Sequence, residues 1–95
     1  VTATASSTSG SATGVYVRDN VGSVSIADST FNIESNASNA MGVRVSQSDP
    51  VGAGLVTVTG NTFNLVASSP LDSYDIYDPW GFVSSSDNVT NKSIN

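Results

Sequence analysis

The sequence predicts an all-β chain that winds as a solenoid of about three coils, with three short strands in each coil. Thirteen Val residues lie in segments where apolar and polar residues alternate, which is the pattern of strands with one buried face. A unit of three such segments recurs, and its copies differ in length only in the connections. Strong helix formers are scarce, with one Glu, one Gln, one Met and three Leu.

The first segment of each unit is the most regular part of the repeat. Gly14-Val15-Tyr16-Val17 returns 28 residues later as Gly42-Val43-Arg44-Val45, and a degraded copy follows at Tyr74-Asp75-Ile76-Tyr77. Stacked in register, these segments predict two inward ladders: Val15, Val43 and Tyr74, then Val17, Val45 and Ile76. The same stacking predicts an outward row of Tyr16, Arg44 and Asp75.

The second and third segments form one longer motif. Val24–Ile33 returns 32 residues later as Val56–Leu65, and a weaker copy begins at Val83. Alternation loses phase inside the motif, so the chain must turn between the two segments, at Asp28-Ser29 and Gly60-Asn61. The motif predicts core ladders of Val24, Val56 and Val83, of Ile26, Val58 and Ser85, of Phe31 and Phe63, and of Ile33 and Leu65. Ala3 and Ala5 fit the end of a preceding copy.

Asparagines recur at equivalent positions. Asn32, Asn64 and Asn91 would align on the outside of the third strand, while Asn61 and Asn88 would align at the turn. Stacked carboxamides can bond to one another along the axis, so both sets predict structural amide ladders.

The run Val-x-Val-x-Gly-Asn-Thr-Phe, with Gly-Val-x-Val beside it, resembles right-handed parallel β-helix repeats of the pectate-lyase-like architecture. The resemblance covers roughly Gly14 to Val89 and implies a right-handed parallel β-helix. The alternative is an antiparallel β-sandwich, in which Gly-Asn and Asp-Ser would be hairpin turns. A sandwich gives no reason for the unit to repeat. Residues 1–95 are expected to form one β-helical domain or a fragment of a longer β-helix.

Composition limits the possible chemistry. The chain has no Cys and no His, which excludes disulfides, the usual zinc sites and mechanisms with a Cys nucleophile or a His base. The net charge of −5 argues against nucleic acid as a partner. No apolar run is long enough to span a membrane, and no cofactor is expected.

The outward row of the first strand is one candidate site. The resemblance implies a substrate groove along this strand, with Asp for calcium and Arg or Lys as base. An Arg44–Asp75 neighbour pair would be a fragment of such a site. The alternative is a surface ion pair worth less than about 1 kcal/mol.

The segment Asp72–Phe82 is a second candidate site, since it holds three of the seven Asp, two of the three Tyr and the one Trp. Aromatic faces beside carboxylates suit sugar binding, which points to Tyr77, Asp78 and Trp80 together with Arg44 and Asp75. Calcium near Asp72, Asp75 and Asp78 is left open. The alternative is structural: Tyr74, Ile76 and Phe82 enter the core while Trp80 covers the open end of the stack.

Two functions follow as hypotheses. The first is a non-catalytic structural or adhesive segment of a secreted or surface-exposed bacterial protein, because autotransporter passengers and adhesins share this architecture and composition. The loops Arg18–Ser23, Ser46–Leu55 and Leu71–Gly81 would then be contact surfaces. The second is a carbohydrate-binding or carbohydrate-cleaving fragment of the lyase, hydrolase or tailspike type. Expected partners are a polysaccharide or host-surface glycan, and further copies of the chain through the unpaired ends of the β-helix.

Overall fold

A computed structural model describes residues 1–48 and 54–95, and all ten strands in these ranges pair in parallel. The chain forms a parallel β-solenoid of about three coils with three strands per coil, as predicted. The antiparallel sandwich alternative is wrong, because none of the described pairings is antiparallel. Nor do the described residues include a helix long and apolar enough to cross a membrane.

Three sheets, here named A, B and C, run along the solenoid. Sheet A contains β1 (Thr2–Ser7), β4 (Thr30–Ser35), β7 (Thr62–Ala67) and β10 (Val89–Ile94). Sheet B contains β2 (Ala12–Arg18), β5 (Ala40–Ser46) and β8 (Ser73–Tyr77). Sheet C contains β3 (Val24–Ala27), β6 (Val56–Thr59) and β9 (Val83–Ser86), and a short 3-10 helix spans Pro70–Asp72.

The ladders that were predicted for sheets A and C are present in the structure. Phe31 pairs with Phe63, and their rings stack with centroids 5.3 Å apart and planes 13° from parallel. Ile33 pairs with Leu65, and both are almost fully buried. The remaining predicted pairs are also confirmed: Val24, Val56 and Val83; Ile26, Val58 and Ser85; Ala3 with Phe31; Ala5 with Ile33.

The predicted register of the third coil is wrong in sheet B. Val43 pairs with Ile76 rather than Tyr74, and Arg44 pairs with Tyr77 rather than Asp75. A slip of two residues preserves the alternation of a regular strand, so alternation alone cannot detect it. Packing favours the observed register, because Ile76 continues the aliphatic ladder of Val43 while Tyr74 is left beside Met41.

The sharp turn between sheets C and A uses left-handed backbone in every coil. Asp28, Gly60 and Asp87 occupy equivalent places and have φ angles of 51°, 68° and 59°. Asp tolerates this conformation better than most residues, and Gly adopts it without cost. A Cβ at Gly60 would lie 2.6 Å from Oδ1 of Asp28, so a third Asp in the middle coil would force the Asp28 carboxylate to move.

The turn is held by the predicted asparagine ladder. Asn61 is buried, and its Oδ1 accepts from the Ser29 N–H at 3.0 Å. Its Nδ2 donates to the Ile26 carbonyl at 2.9 Å and to Asn88 Oδ1 at 3.2 Å. The Asn61 side chain thus satisfies backbone groups of the first coil and bonds to the third.

The Gly-Val-x-Val motif has a steric origin. Gly42 and Val43 both face the interior, although they are adjacent in the strand. A Cβ at Gly42 would collide with the Phe63 ring and lie 2.6 Å from the Asp75 carbonyl oxygen. The third coil has Thr90 in place of Phe63, and there Asp75 stands opposite Gly42. Glycine is therefore required in the coils where Phe fills the core.

We predict that Gly42→Ala lowers the free energy of unfolding by about 1–3 kcal/mol, the usual cost of overpacking a core. Gly22→Ala is the matched control, because a Cβ there meets no atom within 4 Å. Chemical denaturation followed by circular dichroism measures both. A Gly42→Ala variant as stable as the control would contradict the close contact with Phe63.

We also predict that Asn61→Ala is more destabilising than Asn64→Ala. Asn61→Ala leaves the Ser29 N–H and the Ile26 carbonyl without their partner, at about 1–3 kcal/mol for each buried group. Asn64→Ala removes only bonds between partly exposed side chains, each worth about 0.5–1.5 kcal/mol. Thermal and urea unfolding of both variants should give this order, and the reverse order would refute the role assigned to Asn61.

Candidate functional site

Three side chains stand in register on the outer face of sheet B. Tyr16 pairs with Arg44, and Arg44 pairs with Tyr77, so each of the three coils contributes one residue. We call these residues the Tyr–Arg–Tyr row. The Arg44 guanidinium carbon lies 4.7 Å from the centroid of the Tyr16 ring, which is cation–π geometry.

One member of the row, Tyr77, packs against a further aromatic side chain, Tyr74. The Tyr77 ring meets the Tyr74 ring edge to face, with centroids 5.0 Å apart and planes at 73°. Tyr74 in turn pairs with Met41, which is buried. Tyr77 is therefore held in place by a neighbour that is itself partly buried, while Tyr16 remains 47% exposed.

Arg44 has no charged partner among the residues that the structure describes. The ion pair found in the described ranges joins Arg18 to Asp19, and Arg44 makes neither an ion pair nor a hydrogen bond. Its guanidinium therefore keeps five N–H donors in a fixed plane beside an aromatic ring. A fork of donors against one phenol ring, with a second tyrosine next to it in the row, is suited to a sugar ring that carries hydroxyl or carboxylate groups.

Asp75 does not belong to this row, contrary to the prediction. It stands opposite Gly42 on the inner side, and its Oδ2 accepts from the Thr90 hydroxyl at 3.1 Å. Its Oδ1 accepts from the Ile76 N–H at 2.8 Å. The two-residue slip brings Tyr77 beside Arg44 instead. Asp75 faces inward because it takes the place of Gly42, which faces the interior together with the adjacent Val43.

Asp78 stabilises the connection between β8 and β9. Its Oδ1 accepts from the N–H groups of Gly81 and Phe82, both at 3.1 Å, and its Oδ2 accepts from the Val83 N–H at 2.8 Å. These bonds close the loop around Gly81, whose φ is 78°. Both carboxylate oxygens are thus engaged by backbone donors.

Trp80 lies in the same loop and is 61% exposed, so the prediction that it covers the end of the stack is wrong. Ile76 and Phe82 pack against the core as predicted, whereas Tyr74 packs edge to face against Tyr77.

Of the five predicted site residues, the structure brings Arg44 and Tyr77 together. Asp78 and Trp80 lie in the loop that follows Tyr77, and Asp75 lies on the opposite face.

The connections between sheets B and C are also bonded from coil to coil. Asp19 has a φ of 51°, and its Oδ1 accepts from the Ser48 N–H at 2.7 Å. This backbone donor holds the pKa of Asp19 below its ordinary value, with smaller help from the Ser48 hydroxyl and Arg18. Residues 49–53 of the predicted contact loop Ser46–Leu55 lie outside the described residues.

Acidic side chains do not converge in the described part of the chain. No group of three carboxylates that could hold a metal ion occurs there. The Asp75 and Asp78 oxygens accept bonds from protein groups, so calcium near Asp72, Asp75 and Asp78 gains no support from their geometry.

Sequence reasoning placed Tyr16 in the outward row but did not include it in the site. The signal was available, because Tyr16 and Arg44 occupy the same place in two clear copies of the repeat. Tyr74 was missed as a support for Tyr77, because its copy of the repeat was aligned two residues away from its true register.

Comparison with known proteins yields no relative. No known protein family matches the chain, and neither does a curated protein or a solved structure.

Proposed function

We propose that the chain is a non-catalytic structural and adhesive β-helix segment of a secreted or surface-exposed bacterial protein. In this proposal the Tyr–Arg–Tyr row and the adjoining loop with Trp80 contact a polysaccharide or a host-surface glycan. The observation that carries the proposal is that Arg44, held against Tyr16, has no acidic partner in residues 1–48 and 54–95, although acids outnumber cations eight to three in the sequence. The setting is the one suggested by the resemblance to autotransporter passengers and adhesins.

The engagement of the aspartates supports a binding role over a cleaving one. A carbohydrate-cleaving site of the usual kind needs a pair of carboxylates that both reach the scissile bond. Here Asp75 and Asp78 bond to the fold, and Asp75 lies on the other side of sheet B from Arg44. The alternative, a pectate-lyase-like, hydrolase or tailspike fragment, is favoured by the Arg on the outer face of sheet B.

The ends of the solenoid suggest a second kind of contact. The edges of β8, β9 and β10 are unpaired at one end, and those of β1, β2 and β3 at the other. Free parallel edges are templates for further strands, so self-association belongs to the proposed function. Light scattering over a concentration series measures it, and a strictly monomeric chain would remove this part of the proposal.

The binding proposal predicts that Arg44→Ala and Tyr77→Ala each weaken polysaccharide binding by about tenfold, which corresponds to roughly 1.4 kcal/mol of stacking or cation–π energy. A panel of neutral and acidic polysaccharides, titrated by calorimetry, provides the measurement. Arg18→Ala is the matched control, because it removes the same charge from an exposed position on the same sheet. Equal losses of affinity for Arg18→Ala and Arg44→Ala would show that the overall charge, and not the position of Arg44, governs binding. No binding across the panel would refute the proposal.

The structural role of Asp78 predicts that Asp78→Ala lowers the free energy of unfolding by about 1.5–3 kcal/mol, as expected for bonds to a charged acceptor. Asp72→Ala removes the same charge from the preceding connection and should have little effect, since the Asp72 carboxylate makes no hydrogen bond to any residue that the structure describes. Thermal unfolding compares the two variants. Cleavage of a polysaccharide that Asp78→Ala abolishes without lowering the melting temperature would favour the enzyme alternative.

A further inference from the structure

A shallow groove lies on the outer face of sheet A, away from the Tyr–Arg–Tyr row. Its volume is about 390 Å³, within the range of roughly 300–1,000 Å³ that is usual for small-ligand sites. Side chains of β1, β4 and β7 surround it: Thr4, Ser6, Asn32, Glu34, Asn64 and Val66. The groove thus crosses three neighbouring strands.

The asparagine ladder of sheet A ends in this groove. Asn91 Nδ2 donates to Asn64 Oδ1, and Asn64 Nδ2 donates to Asn32 Oδ1, both at 2.9 Å. Because the bonds run in one direction, the Asn32 carboxamide is fixed through its oxygen, while its Nδ2 group donates to none of the described residues. An oriented amide with free donors is therefore presented to whatever enters the groove.

The other polar groups of the groove also have no partner in the described part of the chain. The hydroxyls of Thr4 and Ser6 and the carboxylate of Glu34 make no hydrogen bond or ion pair in the described structure. Hydroxyls both donate and accept, and the carboxylate accepts. Together with Asn32, they provide donors and acceptors within one concave surface.

Charge and shape narrow the class of ligand. Among the outward positions of sheet A, the charged side chain is Glu34, so the face repels anions and lacks the acids that a metal ion needs. Val66 adds an apolar contact on the third strand. Adjacent hydroxyl groups on a ring with an apolar C–H face match this set, and both features belong to neutral sugars.

We propose that the groove of sheet A binds a neutral saccharide through the Asn32 amide, the Glu34 carboxylate and the hydroxyls of Thr4 and Ser6. This site lies on a different sheet from the Tyr–Arg–Tyr row, and it does not depend on the proposed function of that row. The asparagine ladder then has two roles, since it joins the coils and also orients the amide of Asn32.

The test is a titration of the isotopically labelled full chain with neutral oligosaccharides of glucose, galactose, mannose and N-acetylglucosamine, followed by NMR. Asn32→Ala and Glu34→Ala should each weaken binding by about tenfold or more. Asn39→Ala is the matched control, because it removes an amide that lies outside both the groove and the ladder. Its affinity should stay within about twofold of the unaltered chain.

Three outcomes would overturn the inference. No saturable binding of any of these oligosaccharides would do so directly. An equal loss for Asn39→Ala would show that binding does not depend on the groove. Binding that Arg44→Ala weakens and Asn32→Ala leaves unchanged would place the saccharide on sheet B, which removes this site and leaves the proposed function intact. The reverse pattern supports the groove and shows that the row on sheet B does not bind these neutral sugars.

Discussion

In-register parallel stacking is the constraint on which the rest of this molecule depends. Each residue of a coil lies about 4.8 Å from its equivalent in the next coil, so every choice of side chain is also a choice of neighbour. Phe beside Phe gives a stacked pair, and Asn beside Asn gives a hydrogen-bonded ladder. Like charges at that spacing would repel, which explains why 36 residues are Ser, Thr or Asn and few are charged. Asp28 and Asp87 fit the rule, since Gly60 lies between them.

The same constraint couples positions on different sheets. Phe31 and Phe63 fill the interior only because Gly14 and Gly42 leave space on sheet B. Where the third coil replaces Phe with Thr90, the glycine position becomes Asp75, and the two new side chains bond to each other. The Phe and Gly of the first two coils are thus replaced in the third coil by two polar side chains that occupy the same positions. The third coil is also more polar at other inward positions, with Ser85 after Val58 and Lys92 after Leu65.

These relations explain which features could be predicted from the sequence. The strands of sheets A and C carry asymmetric landmarks, such as Gly60-Asn61 and the Phe that follows, so their register is fixed by more than alternation. Tyr74–Tyr77 lacks such a landmark, and its register was predicted two residues from the true one. The groove on sheet A could not be predicted, because a concave surface depends on the heights and directions of side chains on three strands. The free donors of Asn32 follow from the direction of the amide bonds, which the sequence does not specify.

A fold of this kind also limits how it can recognise a ligand. Because stacking disfavours like charges side by side, a charged group on an outer face must stand among neutral neighbours. Arg44 stands between two tyrosines, and Glu34 stands between Ser6 and Val66. Each charge thus has neutral neighbours in the strands beside it. Arg44 packs against the Tyr16 ring, and Glu34 is left accessible in the groove. Two such charges of opposite sign, on different sheets, give the two faces different preferences, so one short solenoid can present an anion-tolerant surface and an anion-repelling surface at once.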